Sequence, residues 1–150
     1  LITFAIQFVF FLIFVGIFAL SGAALRPNLW ILFTPVLVLM MAGLGLGFGI
    51  IISSLTTKYR DLRFLVTFGV SLLMYATPVI YPVSSIPERF QALIRLNPMT
   101  PIVETFRYAF LGAGAAEPLA LLYSFGFMLV IVVLGAVLFN RVEATFMDTV

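Results

Sequence analysis

Arg26 is the only charged residue before Lys58 in this chain. A stretch so poor in charge cannot cover itself with polar groups against water. A helix that spans a bilayer needs about 20 mostly apolar residues. Four segments qualify, at about 2–25, 29–55, 64–81 and 119–140, and none carries a charge. Between Ile2 and Leu20 stand 14 Leu, Ile, Phe or Val residues. They favour insertion by roughly 4–8 kcal/mol. The run Lys58-Tyr59-Arg60-Asp61-Leu62-Arg63 carries four charges. Placing those charges in hydrocarbon would cost about 10–14 kcal/mol, so this loop must lie in water and split the second span from the third. Arg26-Pro27-Asn28 splits the first from the second, and Pro27 also interrupts a helix.

Composition agrees. The chain is 63% hydrophobic and 9% charged, where a soluble domain has about 25% charged residues. The expected fold is an all-α membrane protein, with four transmembrane helices and a further two-helix hairpin. The net charge of +2 comes from a few scattered residues, so no basic face for nucleic acid is implied. With no cysteine and no histidine, thiolate and imidazole chemistry are absent. No catalytic constellation, phosphate-binding loop or metal-ligand cluster is visible. An ion-coupled carrier usually buries acids within its spans. These four contain none, which leaves a partner-driven device or a passive one. The chain opens on Leu1 straight into an apolar run, with no basic region before it. A cleaved secretory leader is a poor reading of that start, and the downstream part of a longer polypeptide is the expectation.

The 37 residues from Pro82 to Pro118 are neither a span nor a plain loop. Ser85-Ile86-Pro87-Glu88 reads as a capping box, with Ser85 at the N-cap and Glu88 at the third helical position. Phe90, Leu93 and Ile94 then share one face, opposite Glu88, Arg89, Gln91 and Arg95. A second helix starts at Thr100-Pro101 and stops at Gly112, and Asn97-Pro98-Met99-Thr100-Pro101 forces the break between them. The spacing predicts a re-entrant or interfacial hairpin over about 85–112. Such backbone is tolerated at membrane depth only against protein or a water-filled cavity. The dense basic loop Lys58–Arg63 points to the cytoplasm and puts the hairpin on the opposite side.

Three groups of residues carry alternatives. In the second span, Gly43 and Gly47 share one face, and Gly45, Gly49 and Ser53 another. Small residues four apart allow close helix approach, whether static or sliding. Trp30, Tyr59, Tyr81 and Tyr123 sit near span ends, as an interfacial belt would. Tyr75 lies deeper, where its hydroxyl needs a partner; it either faces a conduit that stacks sugar rings or bonds a neighbouring helix. Glu104 and Arg107 are three apart and can pair, as gate or substrate contacts or as a neutralising structural pair.

Four stretches together resemble the membrane subunit of type-2 ABC exporters, in the branch that exports lipid-linked polysaccharides such as O-antigen, teichoic acid and capsule. They are Lys58-Tyr-Arg-Asp61, Tyr75-Ala-Thr-Pro-Val-Ile-Tyr81, Leu96-Asn-Pro-Met-Thr-Pro101 and Glu143-Ala-Thr-Phe-Met-Asp148. The resemblance implies that residues 1–150 form a single permease domain, the last four of six spans, with the hairpin as a pair of gate helices. It implies a homodimer in the bacterial cytoplasmic (inner) membrane, among membrane lipids, that moves a lipid-linked glycan. ATP and Mg would sit on separate cytoplasmic ATPase subunits, with no cofactor in this chain. Tyr75, Tyr81, Phe106 and Tyr108 become conduit candidates, with Glu104 and Arg107 beside them. Lys58, Tyr59, Arg60 and Asp61 become candidates to face the ATPase. Other readings are a type-2 permease for drugs or other lipids, and a stand-alone membrane-embedded transferase.

Overall fold

The computed structural model describes residues 2–22, 28–59, 61–77, 79 and 85–147; within these, the side chains of Lys58, Met74, Glu88 and residues 143–147, among others, lie outside the description. The described residues are helical, with no strand among them. Six α-helices follow in order: α1 (Ile2–Leu20), α2 (Thr34–Lys58), α3 (Leu62–Ala76), α4 (Glu88–Arg95), α5 (Met99–Leu111) and α6 (Pro118–Met147). A short 3-10 segment, Leu29–Phe33, leads into α2.

Among the described residues, two stretches are long and apolar enough to cross a bilayer, Leu29–Thr57 and Pro118–Val142. Ile6–Leu20 and Leu62–Leu73 are shorter apolar helices. Of the expected third span, 64–81, residues 78 and 80–81 lie outside the described residues. Helix α3 ends at Ala76 and Thr77 is extended, with φ −97° and ψ 125°. The residue before a proline is pushed out of the helical region, and Pro78 follows Thr77. As described, α3 has 15 residues, about 22 Å of helix against a hydrocarbon core of about 30 Å. Helix α6 runs the other way, past the expected 140 to Met147.

Helix α4 starts later than the capping box expects. Its N-cap is Pro87, extended at ψ 137°, so Ser85 stands two residues before the cap and Glu88 at the first helical position, not the third. A box on Ser85 would require Ile86 to be helical, and Ile86 precedes a proline. The other expected punctuation holds. Helix α5 has Pro101 in its first turn and ends at Gly112, which is left-handed at φ 68°.

The core sits where α2, α5 and α6 meet, at Leu37, Met40, Leu44, Ile102 and Leu121. The most extensive helix contact is between α2 and α6. Gly43 and Gly47 make it close. A Cβ at Gly43 would overlap the Met128 sulfur, and one at Gly47 would lie 2.7 Å from Ile131 and 3.0 Å from the Val132 backbone nitrogen. From the opposite helix, a Cβ at Gly135 would come within 3.1 Å of the Gly47 carbonyl. Small residues with this spacing trade side-chain volume for backbone contact.

Several hydroxyls inside the apolar helices are satisfied locally, while the buried Thr34 hydroxyl has no hydrogen-bond partner among the described residues. Ser54, Thr57, Thr67, Ser71 and Ser124 each donate to the carbonyl four residues back, at 2.8–3.1 Å. An apolar medium offers no other partner, so this back-bonding is what makes serine and threonine tolerable there. Large apolar side chains point outward along the long helices: Leu39 is 69% exposed and Leu122 66%. Such a surface suits lipid and not water.

Candidate functional site

The hairpin residues converge where α3 ends and α6 begins. Helix α5 is the fixed part. Thr100, Pro101, Ile102, Thr105, Ala109 and Phe110 are all buried. Its outer face meets α1 through aromatic rings. Phe11 lies 5.2 Å from Phe110 and 5.4 Å from Phe106, and Phe106 lies 4.7 Å from Phe110. Edge and offset contacts of this kind add about 0.5–1.5 kcal/mol per pair beyond area burial.

Asn28 clamps the C-terminal end of α5 to the start of the second apolar stretch. Its Nδ2 donates to the Tyr108 carbonyl at 3.1 Å, and its backbone N–H donates to the Ala109 carbonyl at 3.1 Å. Its Oδ1 accepts from Trp30 N at 3.0 Å, which also caps the 3-10 segment. At the other end of α5, Asn97 Oδ1 accepts from Met99 N at 3.0 Å, and Asn97 Nδ2 donates to the Thr77 hydroxyl at 3.0 Å. Arg107 Nη2 donates to the Val79 carbonyl at 2.7 Å, a second tie to the end of α3.

Helix α4 differs. None of its described residues is buried. Arg89 lies over the Phe90 ring at 4.9 Å. Gln91 Nε2 donates back to the Ile86 carbonyl at 2.8 Å. At its C-terminal end, Arg95 pairs with Glu117 at 3.9 Å, and Tyr123 Oη donates to the Leu96 carbonyl at 2.8 Å.

Two openings flank α4. A cleft of about 540 Å³ lies between its apolar face and α3, lined by Tyr75, Ser85, Ile86, Pro87, Phe90, Leu93 and Ile94. A small chamber of about 50 Å³ is lined by Arg95, Thr100, Pro101, Glu104, Ala115, Glu117 and Ala120. A third, apolar groove of about 720 Å³ runs between the start of α2 and α6, past Trp30, Phe33, Met40, Leu121 and Phe125.

The candidate residues therefore separate. Tyr75 is 73% exposed and lines the cleft beside α4. Glu104 lines the small chamber, half-buried. Arg107 is half-buried and faces the end of α3 through Val79. Phe106 packs into the aromatic cluster and against the core, and Tyr108 lends its carbonyl to Asn28. Tyr81 lies outside the described residues, as does Arg60; Lys58 closes α2, with its side chain outside the description. Tyr59 is exposed, and Asp61 precedes α3 without a side-chain cap. Of the glycines, Gly43 and Gly47 face α6, whereas nothing described lies within 4 Å of a Cβ at Gly45 or Gly49. Ser53 is exposed on that second face and accepts, through its carbonyl, from Thr57.

Sequence reasoning gave Asn28, Thr77 and Tyr123 no tie to the hairpin. Asn28 had a local signal, since asparagine is a preferred helix N-cap. Its bond to Tyr108, 80 residues away, had none.

Known proteins meet this chain over most of its length. Residues 1–111 match the family model described as ABC-2 type transporter. The chain is 33% identical over 126 residues to the O-antigen export system permease protein RfbA of Klebsiella pneumoniae, covering 83% of this chain and 48% of that protein. It is 29% identical over 86 residues to RfbA of Myxococcus xanthus, covering 56% of this chain and 33% of that protein. The inner membrane transport permease YadH of Escherichia coli K12 is 28% identical over 125 residues, covering 81% of this chain and 47% of that protein. The chain thus spans about half the length of the two Klebsiella pneumoniae relatives it matches. With its long apolar helices and its match to the family model over more than two-thirds of its length, this integral membrane chain belongs to the ABC-2 type transporter family.

Proposed function

We propose that this chain is part of the permease subunit of an ATP-driven exporter of lipid-linked polysaccharide in the bacterial cytoplasmic membrane. The observation that carries the reading is the similarity to permeases named for O-antigen export, which extends across α2, the hairpin and beyond. In this reading α1, α2, α3 and α6 are four spans of one permease domain. Helices α4 and α5 form a hairpin at the outer side, and the loop at Lys58, Tyr59, Arg60 and Asp61 faces the cytoplasm. The permease works as a homodimer with two ATPase subunits that bind ATP and Mg, and that loop meets the ATPase. Tyr75, with its ring in the cleft beside α4, is the leading conduit residue. Glu104 and Arg107 hold the gate, and Tyr81 extends the conduit. Phe106 and Tyr108 support it from the packed side of α5. The second glycine face, Gly45, Gly49 and Ser53, is open for a further helix.

A second reading, a permease for another lipid or a drug, is favoured by the similarity to YadH, which is named only as a transport permease. A stand-alone transferase draws no support from relatives that are all named as permeases.

The test is purification of the whole permease with candidate ATPase subunits, followed by ATP hydrolysis with and without lipid-linked glycan. Stimulation by the glycan and not by other lipids supports the first reading. Stimulation by other lipids or drugs alone supports the second.

A further inference from the structure

We infer that the apolar groove between the starts of α2 and α6 holds one acyl chain of a membrane phospholipid, drawn from the leaflet on the hairpin's side. The groove continues the seam between these two helices. Deeper in the seam, Gly43 stands against Met128 and Gly47 against Ile131, so the helices run parallel and nearly touch. Toward the hairpin the seam has Phe33, Val36 and Met40 on one side and Leu121, Leu122 and Phe125 on the other. Side chains of this size hold backbones apart where glycines would let them meet. The seam therefore opens, into about 720 Å³.

The floor of the groove is fixed. Met40 is 4% exposed and Leu121 7%, and both belong to the core. Its walls carry the exposed Leu29, Leu32 and Leu122, so it opens sideways, where an integral membrane chain meets lipid. Its length selects the occupant. From Leu29 to Met40 the 3-10 segment and the first turns of α2 rise about 20 Å, half of a bilayer about 40–45 Å thick with its headgroups. Beyond Met40 the seam is closed by Gly43. A spanning helix, from elsewhere in the permease or from a second copy, needs a face that runs on through both leaflets. An acyl chain ends in mid-membrane, as this groove does.

The volume agrees. An apolar cavity of about 150 Å³ holds a benzene, so the groove has room for a flexible chain. Left empty, Met40 and Leu121 would lose contacts on their open side. Trp30 lines the hairpin end of the groove, and tryptophan rings favour headgroup depth. The ester end of the lipid lies there and the methyl end lies at Met40, a side chain that adapts to irregular neighbours. This site requires only that the chain lies in a membrane, and is independent of the cargo exported.

The test uses the whole permease in phosphatidylethanolamine vesicles, with a trace of the same lipid carrying a photoactivatable diazirine on one acyl chain. With the diazirine at the methyl end, mass mapping should find adducts on Met40 and Phe125. With the diazirine next to the ester, the adducts should move to Leu29, Trp30 and Pro118. Val36→Trp fills the groove from α2, and Leu122→Trp fills it from α6 at an exposed position. Each should lower the Met40 and Phe125 adducts by about tenfold through overpacking, and thermal unfolding checks that the variant has folded. Adducts absent from Met40 and Phe125 in the unsubstituted permease would overturn the proposal, and would show that protein covers the groove. So would the same adducts from both probes, or adducts undiminished in a folded variant.

Discussion

Helices α4 and α5 are adjacent in sequence and opposite in attachment. Both are short and amphipathic, and both follow a proline. Yet α5 buries six residues and is tied to three other parts of the chain, while α4 buries none of those described and sits beside an open cleft. The difference lies in which face each helix presents to the pair α2 and α6. Helix α5 turns Ile102, Thr105 and Ala109 inward at helical spacing and closes the core. Helix α4 has Phe90 and Leu93 on its apolar face, and both remain about half exposed or more. Burial, and not helix propensity, decides which half of the hairpin is a pillar.

That contrast can be broken most readily in the core. Ile102→Ala should cost about 2–5 kcal/mol through lost transfer energy and a residual cavity. Leu93→Ala, at an exposed position, should stay within about 0.5 kcal/mol. Thermal unfolding of the detergent-solubilised protein reads both, and equal losses would end the distinction between the two helices. The same logic applies along α2. Gly47→Ala forces a Cβ into Ile131 and the α6 backbone and should cost about 1–3 kcal/mol. Gly49→Ala should be neutral or stabilising by up to about 1 kcal/mol, because alanine is the better helix former. A loss at Gly49 as large as at Gly47 would mean that another surface covers this face in the whole protein.

Asn28→Ala should cost about 1–3 kcal/mol, because it leaves the Tyr108 carbonyl and the Trp30 N–H without their partner. Asn28→Asp keeps the acceptor for Trp30 and should recover part of that loss. The smallest effect belongs to the C-terminal end of α4. Tyr123→Phe removes one hydrogen bond and should cost about 0.5–1.5 kcal/mol. It should raise hydrogen exchange at α4 amides while leaving those of α5 as they were.

The long helices were legible because their ends are energetic events. Charges at Lys58 and beyond cannot enter hydrocarbon, and α2 ends at Lys58, whereas α6 continues past Arg141 to Met147. The glycine spacing revealed two faces but not which one packs, since Met128 and Ile131 come from a helix some 80 residues away. The helix break at Thr77 follows from the sequence, because Pro78 keeps Thr77 out of the helical region. The later start of α4 follows in the same way, because Pro87 restrains Ile86. The clamp at Asn28 and the tie from Tyr123 to Leu96 were not legible. Both end on backbone carbonyls, and any residue supplies a carbonyl, so the partner leaves no trace in the sequence. The candidate residues could be named from the sequence, but their arrangement could not be read there. Tyr75 and Phe106 look alike as aromatics near the hairpin, and only the packing of α1 on α5 sends one to a cleft and the other to an aromatic cluster.

The most direct measurement is of surface glycan in cells whose gene for the whole permease is deleted, with the intact gene and a Tyr75→Ala version returned separately. The account predicts that deletion removes lipid-linked glycan from the surface and traps it inside. The intact gene should restore export, and the Tyr75→Ala version should restore it slowly despite normal insertion into the membrane. Wild-type amounts of surface glycan in the deletion strain would contradict it.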